Sequence, residues 1–331
     1  MNEGAHSSAA TKRADSVSGK GRAFVLLVHG GAGVIERSDM TPATERAYRD
    51  GMTTALAAGR EILARGGSSL DAVAAAVCVL EDDPLFNAGR GAVFTAEGSN
   101  ELEAAVMDGA MLRAGAATLV TTVKNPVLLA RLVMEQTRHV MLAGHGAEAL
   151  ARAHGLAIVE PDYFYTERRF DALQRVRHAA AAQQRDPATE SDKHGTVGAV
   201  ALDANGNLAA ATSTGGRNDK MSGRVGDTPT IGAGTYANNA TVAVSGTGEG
   251  EYFMRTLAAF SVSALIEHRR WTVERAAKHV VHEQLASLGG TGGVIALDRN
   301  GRFAMPFNTA GMYRGHVGPD GDPIVKIYAD E

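Results

Sequence analysis

The spacing of apolar residues over the first 160 positions predicts strands and helices that come in groups. An apolar run over residues 23–29 predicts a strand that leads into a glycine-rich turn, GGAG. Helical spacing extends over residues 42–65. A second helix is predicted over residues 68–81, with Ser68 and Asp71 in capping positions.

The next segment, residues 82–94 (DDPLFNAGRGAVF), contains too many turn-forming residues for a regular element and is predicted to be a structured loop. Strand-like and helix-like segments follow it. The predicted strands are ELEAAVMDG, GAATLVTTV and HVMLAG, and the predicted helices are NPVLLARLVMEQ and GHGAEALARAH.

Over about residues 161–195 the pattern changes. Charged and polar residues crowd together without a sustained apolar face, and Asp186-Pro187 interrupts any helix. We therefore expect a flexible linker here. We also expect a disordered tail over residues 1–22, which lack the apolar segment of a secretory signal.

Two strand–turn–strand patterns characterise the remaining chain. They turn on Asn205-Gly206 and on Asn300-Gly301, and Asn-Gly is the strongest short hairpin signal. Two further strands (TIGAGTYA and ATVAVSGTG) and two helices, roughly 251–267 and 272–288, are predicted between them. Because strands and helices come in blocks, an α+β architecture with packed sheets and outer helices is favoured over a doubly wound sheet.

Composition narrows the class of protein. The 331 residues are 44% hydrophobic, enough for a substantial core, and the net charge is −4. No basic run interleaved with aromatics suggests nucleic acid as a partner, and no apolar run reaches the roughly 20 residues of a membrane span. The single cysteine, Cys78, cannot form an internal disulfide, so a cytoplasmic location is expected.

The junction Gly195-Thr196, between the polar linker and an apolar strand, is the first candidate for chemistry. If the chain were cut there, Thr196 would carry both a hydroxyl nucleophile and a free α-amine, whose ordinary pKa near 7.7–8.0 suits a general base. Glycine at 195 permits the strained backbone that such a cut requires. On this local pattern alone, an ordinary β-branched strand residue remains the commoner explanation for Thr196.

Other residues could complete such a site. Thr212 and Thr214 share one face of the partner strand, from which a hydroxyl could reach Thr196. The segment SGTGEGE offers the Thr247 hydroxyl and exposed backbone N–H groups to an oxyanion, or is simply a glycine-rich helix start. Arg224 and Asp227 could hold a zwitterionic ligand, or could form a surface ion pair.

Several other chemistries find no support in the chain. The glycine-rich segment after the first strand has Glu36 where a dinucleotide-binding fingerprint needs Gly or Ala, and no Walker A sequence occurs. The eleven histidines show no zinc-ligand spacing.

Taken together, these segments resemble the plant-type L-asparaginase / isoaspartyl aminopeptidase family of N-terminal nucleophile (Ntn) hydrolases. The resemblance covers about residues 24–313 in the family's order. The matching segments are HGGAG, DDPLFNAGRGAVF, VMDG, HGTVGAVALDANGNLAAATSTGG, GRVGD, GAGTYANN, SGTGE, GGTGG and PFNT with GM.

The resemblance implies the catalytic set. Thr196 would be the nucleophile exposed by autocleavage after Gly195, and Thr214 would hydrogen-bond and activate it. Thr247 and the Gly248 N–H would form the oxyanion hole, at the edge of the substrate-binding site.

The resemblance also implies how substrate is held. Arg224 would bind the substrate α-carboxylate, while Asp227 and the Gly250 carbonyl would bind the α-ammonium. Asn87 would lie near the nucleophile.

A structural sodium ion is a further implication. The loop over residues 80–90 resembles the family's sodium-binding loop, which uses mostly backbone carbonyls, and oxygen ligands suit a hard cation. By position the ligands would be Leu80, Glu81, Asp83, Phe86, Ala88 and Arg90. No catalytic cofactor is implied.

The implied fold is a four-layer αββα sandwich, formed after autocleavage by an α-subunit (residues 23–195, after the tail) and a β-subunit (196–331) that pair into an (αβ)₂ heterotetramer. The implied function is hydrolysis of isoaspartyl dipeptides and L-asparagine to L-aspartate. Two alternatives stay open: a glycosylasparaginase-like activity on glycan-linked asparagine, and a catalytically silent homologue acting as a binding protein.

Overall fold

A computed structural model describes residues 24–181, apart from Val34 and Glu36, and residues 195–331. The predicted tail over 1–22 and the linker from 182 to 194 lie outside the described residues. Helices and strands come in groups, as the apolar spacing predicts. The helices are Pro42–Ala64, Ser69–Asp82, Pro126–Gln136, Gly144–Ala153, Glu167–Ala181, Gly250–Thr256, Ala258–Arg269 and Val273–His279, the last continued by the π-helical segment Val280–Leu285.

Within the described residues, twelve strands form two sheets. The strands are β1 Val25–Gly33, β2 Leu102–Asp108, β3 Arg113–Val120, β4 Met141–Ala143, β5 Val197–Leu202, β6 Leu208–Thr214, β7 Thr235–Ala237, β8 Val242–Gly248, β9 Gly292–Asp298, β10 Phe303–Ala304, β11 Gly311–Val317 and β12 Ile324–Tyr328. The larger sheet has the order β12-β11-β1-β5-β6-β2-β3-β4, and the smaller one has the order β10-β9-β8-β7. The pairing is antiparallel apart from β3 with β4, so the predicted α+β class is confirmed.

Alternating side chains along the strands divide the core into packed zones. On β1, Leu26 packs with the helices that cover the outer face of the larger sheet, whereas Leu27 points to the space between the sheets. From the smaller sheet, Ile295 enters that same space. The other face of the smaller sheet, including Val294, packs against the helices that follow β8. Both sheets are thereby held in a fixed relation to each other.

The β5–β6 hairpin forms as its Asn-Gly turn predicts, and it positions the Gly195-Thr196 junction. The Asp203 carboxylate accepts from the backbone N–H of Asn205 at 2.9 Å and of Asn207 at 3.0 Å, which closes the turn. Gly206 adopts φ 82°, which favours glycine. The resulting register pairs Val197 with Ser213 and places the start of β5 beside the end of β6.

The predicted linker needs correction at its beginning. Residues Glu167–Ala181 form a helix rather than a flexible segment. The buried side of this helix contains Arg169 as well as Ala172 and Leu173, and the Arg169 side chain donates to the Gly91 carbonyl at 2.7 Å and to the Leu85 carbonyl at 3.2 Å. Because a charged residue lies within the buried side, the sequence shows no sustained apolar face there.

Three further predictions were wrong in detail. The GGAG segment belongs to β1 rather than to a turn, with a register shift at Gly31. The helix predicted over 251–267 is divided at Leu257, which adopts φ 47° and ends the first piece. In TIGAGTYA only Thr235–Ala237 is a strand, because the preceding residues form turns that return to the Asp227 carbonyl.

Candidate active site

The ends of β5, β6 and β8 meet at a small cleft. Most residues assigned to chemistry from the sequence line it, together with two charged residues that the sequence reasoning missed. The lining residues are Thr196, Thr214, Gly216, Arg217, Arg224, Asp227, Gly248, Gly250 and Glu251.

Thr196 lies at the start of β5 with its hydroxyl in hydrogen-bond contact with Thr214. Thr196 Oγ1 donates to Thr214 Oγ1 at 3.0 Å, and both residues are buried. Thr214 Oγ1 also accepts the backbone N–H of Gly216 at 3.0 Å, which fixes its position. The predicted partner hydroxyl of Thr196 is therefore Thr214, while Thr212 points between the sheets and bonds Ser245 Oγ at 2.7 Å.

The Gly195-Thr196 junction is tightly confined. Gly195 has φ 154°, and a Cβ on Gly31 would lie 2.6 Å from its Cα. A Cβ on Gly195 itself would lie 3.0 Å from Asn87 Cβ. Asn87 is held by its amide, which donates to the Gly216 carbonyl at 2.7 Å and accepts from Val93 N–H at 2.9 Å. Asn87 therefore lies against the junction, as the resemblance implies.

A charged pair and a buried carboxyl face the opposite side of the cleft. The Nε and Nη2 atoms of Arg224 donate to one carboxylate oxygen of Glu251 at 3.1 and 2.9 Å. Asp227 Oδ2 is buried without a hydrogen-bond partner among the described residues. Burial raises the pKa of Asp227 to about 7, although the nearby Arg224 acts against this. A carboxyl with an unused oxygen beside a guanidinium is suited to a ligand that carries both an ammonium and a carboxylate.

Gly250 and Glu103 lie against the segment that carries Arg224 and Asp227. A Cβ at Gly250 would lie 2.6 Å from Asp227 Oδ1 and 2.9 Å from Arg224 Nη2, so a side chain there would displace one or both of these groups. The buried Glu103 carboxylate accepts the Gly226 backbone N–H at 3.1 Å with both oxygens. Burial raises the pKa of Glu103, while Lys220 and Arg224 oppose the rise.

Of the two residues predicted to form an oxyanion hole, one lies in the cleft and the other lies behind it. Gly248 lines the cleft, but Thr247 is fully buried behind it. Thr247 Oγ1 accepts the Ala32 backbone N–H at 3.2 Å, which leaves its own proton for donation to another acceptor.

A hydrogen-bonded group behind the nucleophile was missed from the sequence. His29 Nε2 lies 2.8 Å from Ser245 Oγ, which bonds Thr212, and Thr235 Oγ1 lies 2.7 Å from Thr212 Oγ1. Burial lowers the pKa of His29 to about 3, with a smaller opposing effect from the Thr196 backbone, so its imidazole is neutral at pH 7. The only hint of this group in the sequence is that a histidine begins the segment HGGAG; the spacing of residues along the chain does not connect it to Ser245.

The predicted ion-binding residues lie at the end of the helix Ser69–Asp82 and in the compact loop that follows. A Cβ at Gly89 would clash with the Glu81 carbonyl, and one at Gly91 would clash with the Phe86 carbonyl, so backbone oxygens crowd around these glycines. Within the described residues, no group of three His, Cys, Asp or Glu side chains is suited to a metal.

The Glu81 side chain has a separate role from its carbonyl. Its Oε1 accepts from Ser213 Oγ at 2.6 Å and from Val127 N–H at 3.0 Å. Burial raises the pKa of Glu81 to about 8, although these hydrogen bonds act against it. The loop is thereby tied to β6 directly beside Thr214.

Comparison with known proteins decides the family. The family model described as asparaginase matches residues 22–327. The chain belongs to the asparaginase family. It is therefore an enzyme, a hydrolase, and the relationship expected from the sequence motifs is confirmed.

Individual relatives match along nearly their whole length. The isoaspartyl peptidase of Escherichia coli (strain K12) is 49% identical over 310 residues, covering 93% of this chain and 97% of that protein. The isoaspartyl peptidase/L-asparaginase of Homo sapiens is 42% identical over 307 residues, covering 90% and 96%. Among the described residues, no helix is both long and apolar enough to cross a membrane.

Proposed function

We propose that the protein cuts its own Gly195–Thr196 bond and then uses Thr196 to hydrolyse isoaspartyl dipeptides and L-asparagine to L-aspartate. The observation that carries this proposal is the Thr196–Thr214 hydrogen bond of 3.0 Å, in a cleft shared with Arg224 and Asp227. The names of the relatives, isoaspartyl peptidase and isoaspartyl peptidase/L-asparaginase, support the pairing of the two activities.

Self-cleavage needs groups that the junction supplies. The Thr196 hydroxyl attacks the Gly195 carbonyl carbon, the C–N bond breaks, the hydroxyl proton passes to the departing nitrogen, and the acyl group is left on the Thr196 oxygen as an ester. Water then hydrolyses the ester, which leaves a carboxylate on Gly195 and a free α-amine on Thr196. Gly195 has φ 154°, a conformation that glycine adopts readily and residues with a side chain rarely adopt, so glycine permits the backbone geometry of this junction.

The mature site repeats this chemistry on substrate. The Thr196 hydroxyl attacks the side-chain carbonyl of the aspartyl unit, and the freed α-amine takes its proton and returns a proton to the leaving amine. The resulting β-aspartyl ester is hydrolysed by water. Thr214 orients the nucleophile, while Gly248 N–H and the free proton of Thr247 stabilise the negative oxygen of the intermediate.

Substrate is held by its zwitterionic end. Arg224 binds the α-carboxylate, and Asp227 with the Gly250 carbonyl binds the α-ammonium. Isoaspartyl dipeptides and L-asparagine present the same two groups there, so a single clamp accounts for both activities. The unpaired Asp227 Oδ2 supports this assignment, since a buried oxygen without a partner gains a hydrogen bond from an ammonium.

The finer features of fold and assembly also belong to the proposal. We infer that the two packed sheets and their helices form the four-layer αββα sandwich of Ntn hydrolases. We further infer that residues 1–195 and 196–331 become its α- and β-subunits. An (αβ)₂ assembly and a cytoplasmic location are expected from the family resemblance and the sequence.

A sodium ion would have a structural role. Carbonyl oxygens are the kind of ligand that a hard cation takes, and the proposed ligand positions are Leu80, Glu81, Asp83, Phe86, Ala88 and Arg90. There the ion would stabilise the loop that carries Asn87. The chemistry itself passes through Thr196 and uses no cofactor.

Aspartate release tests the proposed function. Purified protein is incubated with β-aspartyl-leucine, L-asparagine and N-acetylglucosaminyl-asparagine, and L-aspartate is measured over time. We expect release from the first two, and a loss of at least about 10⁴-fold in Thr196→Ala, because the variant lacks the nucleophile. Preference for the glycan-linked substrate would support a glycosylasparaginase, and no release from any substrate would support a silent homologue.

A further inference from the structure

A second arginine, Arg217, lines the cleft beside Arg224. It follows Gly216 directly after β6 and is half-buried. Whereas Arg224 is held by Glu251, no hydrogen bond, ion pair or ring contact of the Arg217 side chain is found within residues 24–181 and 195–331. Its guanidinium therefore has its donors available, five in fixed geometry.

Among the charged residues that line the cleft, no carboxylate pairs with Arg217. Four charged residues line it: Arg217, Arg224, Asp227 and Glu251. Arg224 and Glu251 pair with each other at 2.9 Å, and Asp227 is assigned to the ammonium of the ligand. Burial is the largest single effect on the pKa of Glu251 and raises it, but Arg224, backbone hydrogen bonding and, to a smaller extent, Arg217 together bring it below its usual value. Arg217 is thus near Glu251 but outside salt-bridge distance.

The two proposed substrates differ in the number of their carboxylates. Both carry the α-carboxylate and α-ammonium of the aspartyl unit. An isoaspartyl dipeptide has in addition the C-terminal carboxylate of the residue that leaves, whereas L-asparagine releases ammonia and has no second carboxylate. A cation on the leaving-group side would distinguish them, because it would bind the second carboxylate.

We propose that Arg217 binds the C-terminal carboxylate of the leaving residue and so favours isoaspartyl dipeptides with a free carboxyl end. This inference rests on the proposed function, and it adds a second carboxylate subsite to the same cleft. A planar guanidinium can donate two parallel hydrogen bonds to a carboxylate, so this contact favours a free carboxylate over an amide. Arg217 acts on binding, and the attack by Thr196 does not require it.

The test compares three substrates on matched variants. Wild type, Arg217→Met and Arg217→Lys are assayed with β-aspartyl-leucine, its C-terminal amide, and L-asparagine. In Arg217→Met we expect KM for the dipeptide to rise by about 10- to 100-fold with kcat unchanged, the value of a charge-assisted hydrogen bond. L-Asparagine and the amide should change by less than about 2-fold, and Arg217→Lys should recover part of the loss.

Two comparisons keep the outcome specific. Arg138→Met removes one exposed positive charge outside the cleft and should behave as wild type. Wild type on the amide should resemble Arg217→Met on the dipeptide, since each lacks one half of the contact. Self-cleavage of each variant reports that it has folded.

Each alternative result is decisive. Equal loss on all three substrates would show that Arg217 supports the cleft as a whole, and no change on the dipeptide would show that it binds nothing; either result overturns the inference alone. If wild type hydrolyses none of the substrates, the proposed function fails and the inference fails with it.

Discussion

At the scale of single residues, the sequence identified the groups whose chemistry is visible in their type and neighbours. Thr196 after glycine, and Arg224 three positions before Asp227, were candidates on this basis, and the family resemblance implied their roles; the structure brings the three residues to one cleft. Glu103 and His29 were missed because they act through partners far along the chain. Only the folded molecule places Glu103 on Gly226, and His29 on Ser245.

The buried, neutral His29 leads us to expect that the free energy of unfolding falls as the pH is lowered. Its pKa of about 3 in the folded protein lies below its ordinary 6.5, so below pH 6.5 the unfolded chain binds a proton that the folded chain does not. The stability that depends on neutral His29 is present above pH 6.5 and is lost as pH falls towards 3. The expected slope from this residue is about 1.4 kcal/mol per pH unit.

His29→Gln isolates this effect. Urea unfolding at pH 7 and pH 5 is measured with and without His29→Gln, both in the Thr196→Ala background so that a single chain unfolds. From pH 7 to pH 5, the free energy of unfolding should fall by about 2 kcal/mol more in the protein that keeps His29 than in the one with His29→Gln. The titration of Asp227 and Glu81 affects both proteins equally and cancels in this comparison. A difference between the two proteins that does not change with pH would contradict the burial of a neutral imidazole.

At the scale of elements, boundaries were predictable where local signals decide them. The helices Pro42–Ala64 and Ser69–Asp82 end within one residue of their predicted limits, and Ser68 Oγ accepts Asp71 N–H at 3.1 Å as an N-cap. The division at Leu257 was not predictable, since an apolar residue in the left-handed region carries no signal in apolar spacing. The helix Glu167–Ala181 was missed because its buried side includes the charged Arg169, which interrupts the apolar spacing.

The close approach of β5 to β8 gives a prediction about one glycine. A Cβ at Gly198 would clash with both Ser245 Oγ and His29 Nε2, so Gly198→Ala must separate the sheets or break their hydrogen bond. We expect the free energy of unfolding to fall by about 1–3 kcal/mol, measured with urea in the Thr196→Ala background. Self-cleavage should also slow, because β5 carries Thr196.

Gly146→Ala is the matched control. Gly146 is exposed in the helix Gly144–Ala153, and an added Cβ would meet nothing within 4 Å. This substitution should leave stability unchanged or raise it by up to about 1 kcal/mol. Equal stability of Gly198→Ala and Gly146→Ala would mean that the sheets tolerate the added methyl group, against our account.

At the scale of the whole molecule, the α+β class followed from the grouping of strands and helices, but the position of the cleft did not. The cleft combines the start of β5 with segments after β6 and β8, and the loop with Asn87 closes against Gly195. Such convergence depends on sheet order and on packing between sheets. Family motifs could indicate which residues belong together, whereas Arg217 and Glu251 emerged from the folded chain.

The central claim is that Gly195–Thr196 is cut by Thr196 itself. Intact-mass spectrometry of the purified protein after incubation at neutral pH, beside Thr196→Ala, tests it directly. The account predicts two fragments from wild type, residues 1–195 and 196–331, and a single uncut chain from the variant. A cut at the same bond in Thr196→Ala, or a wild type that stays whole on prolonged incubation, would contradict it.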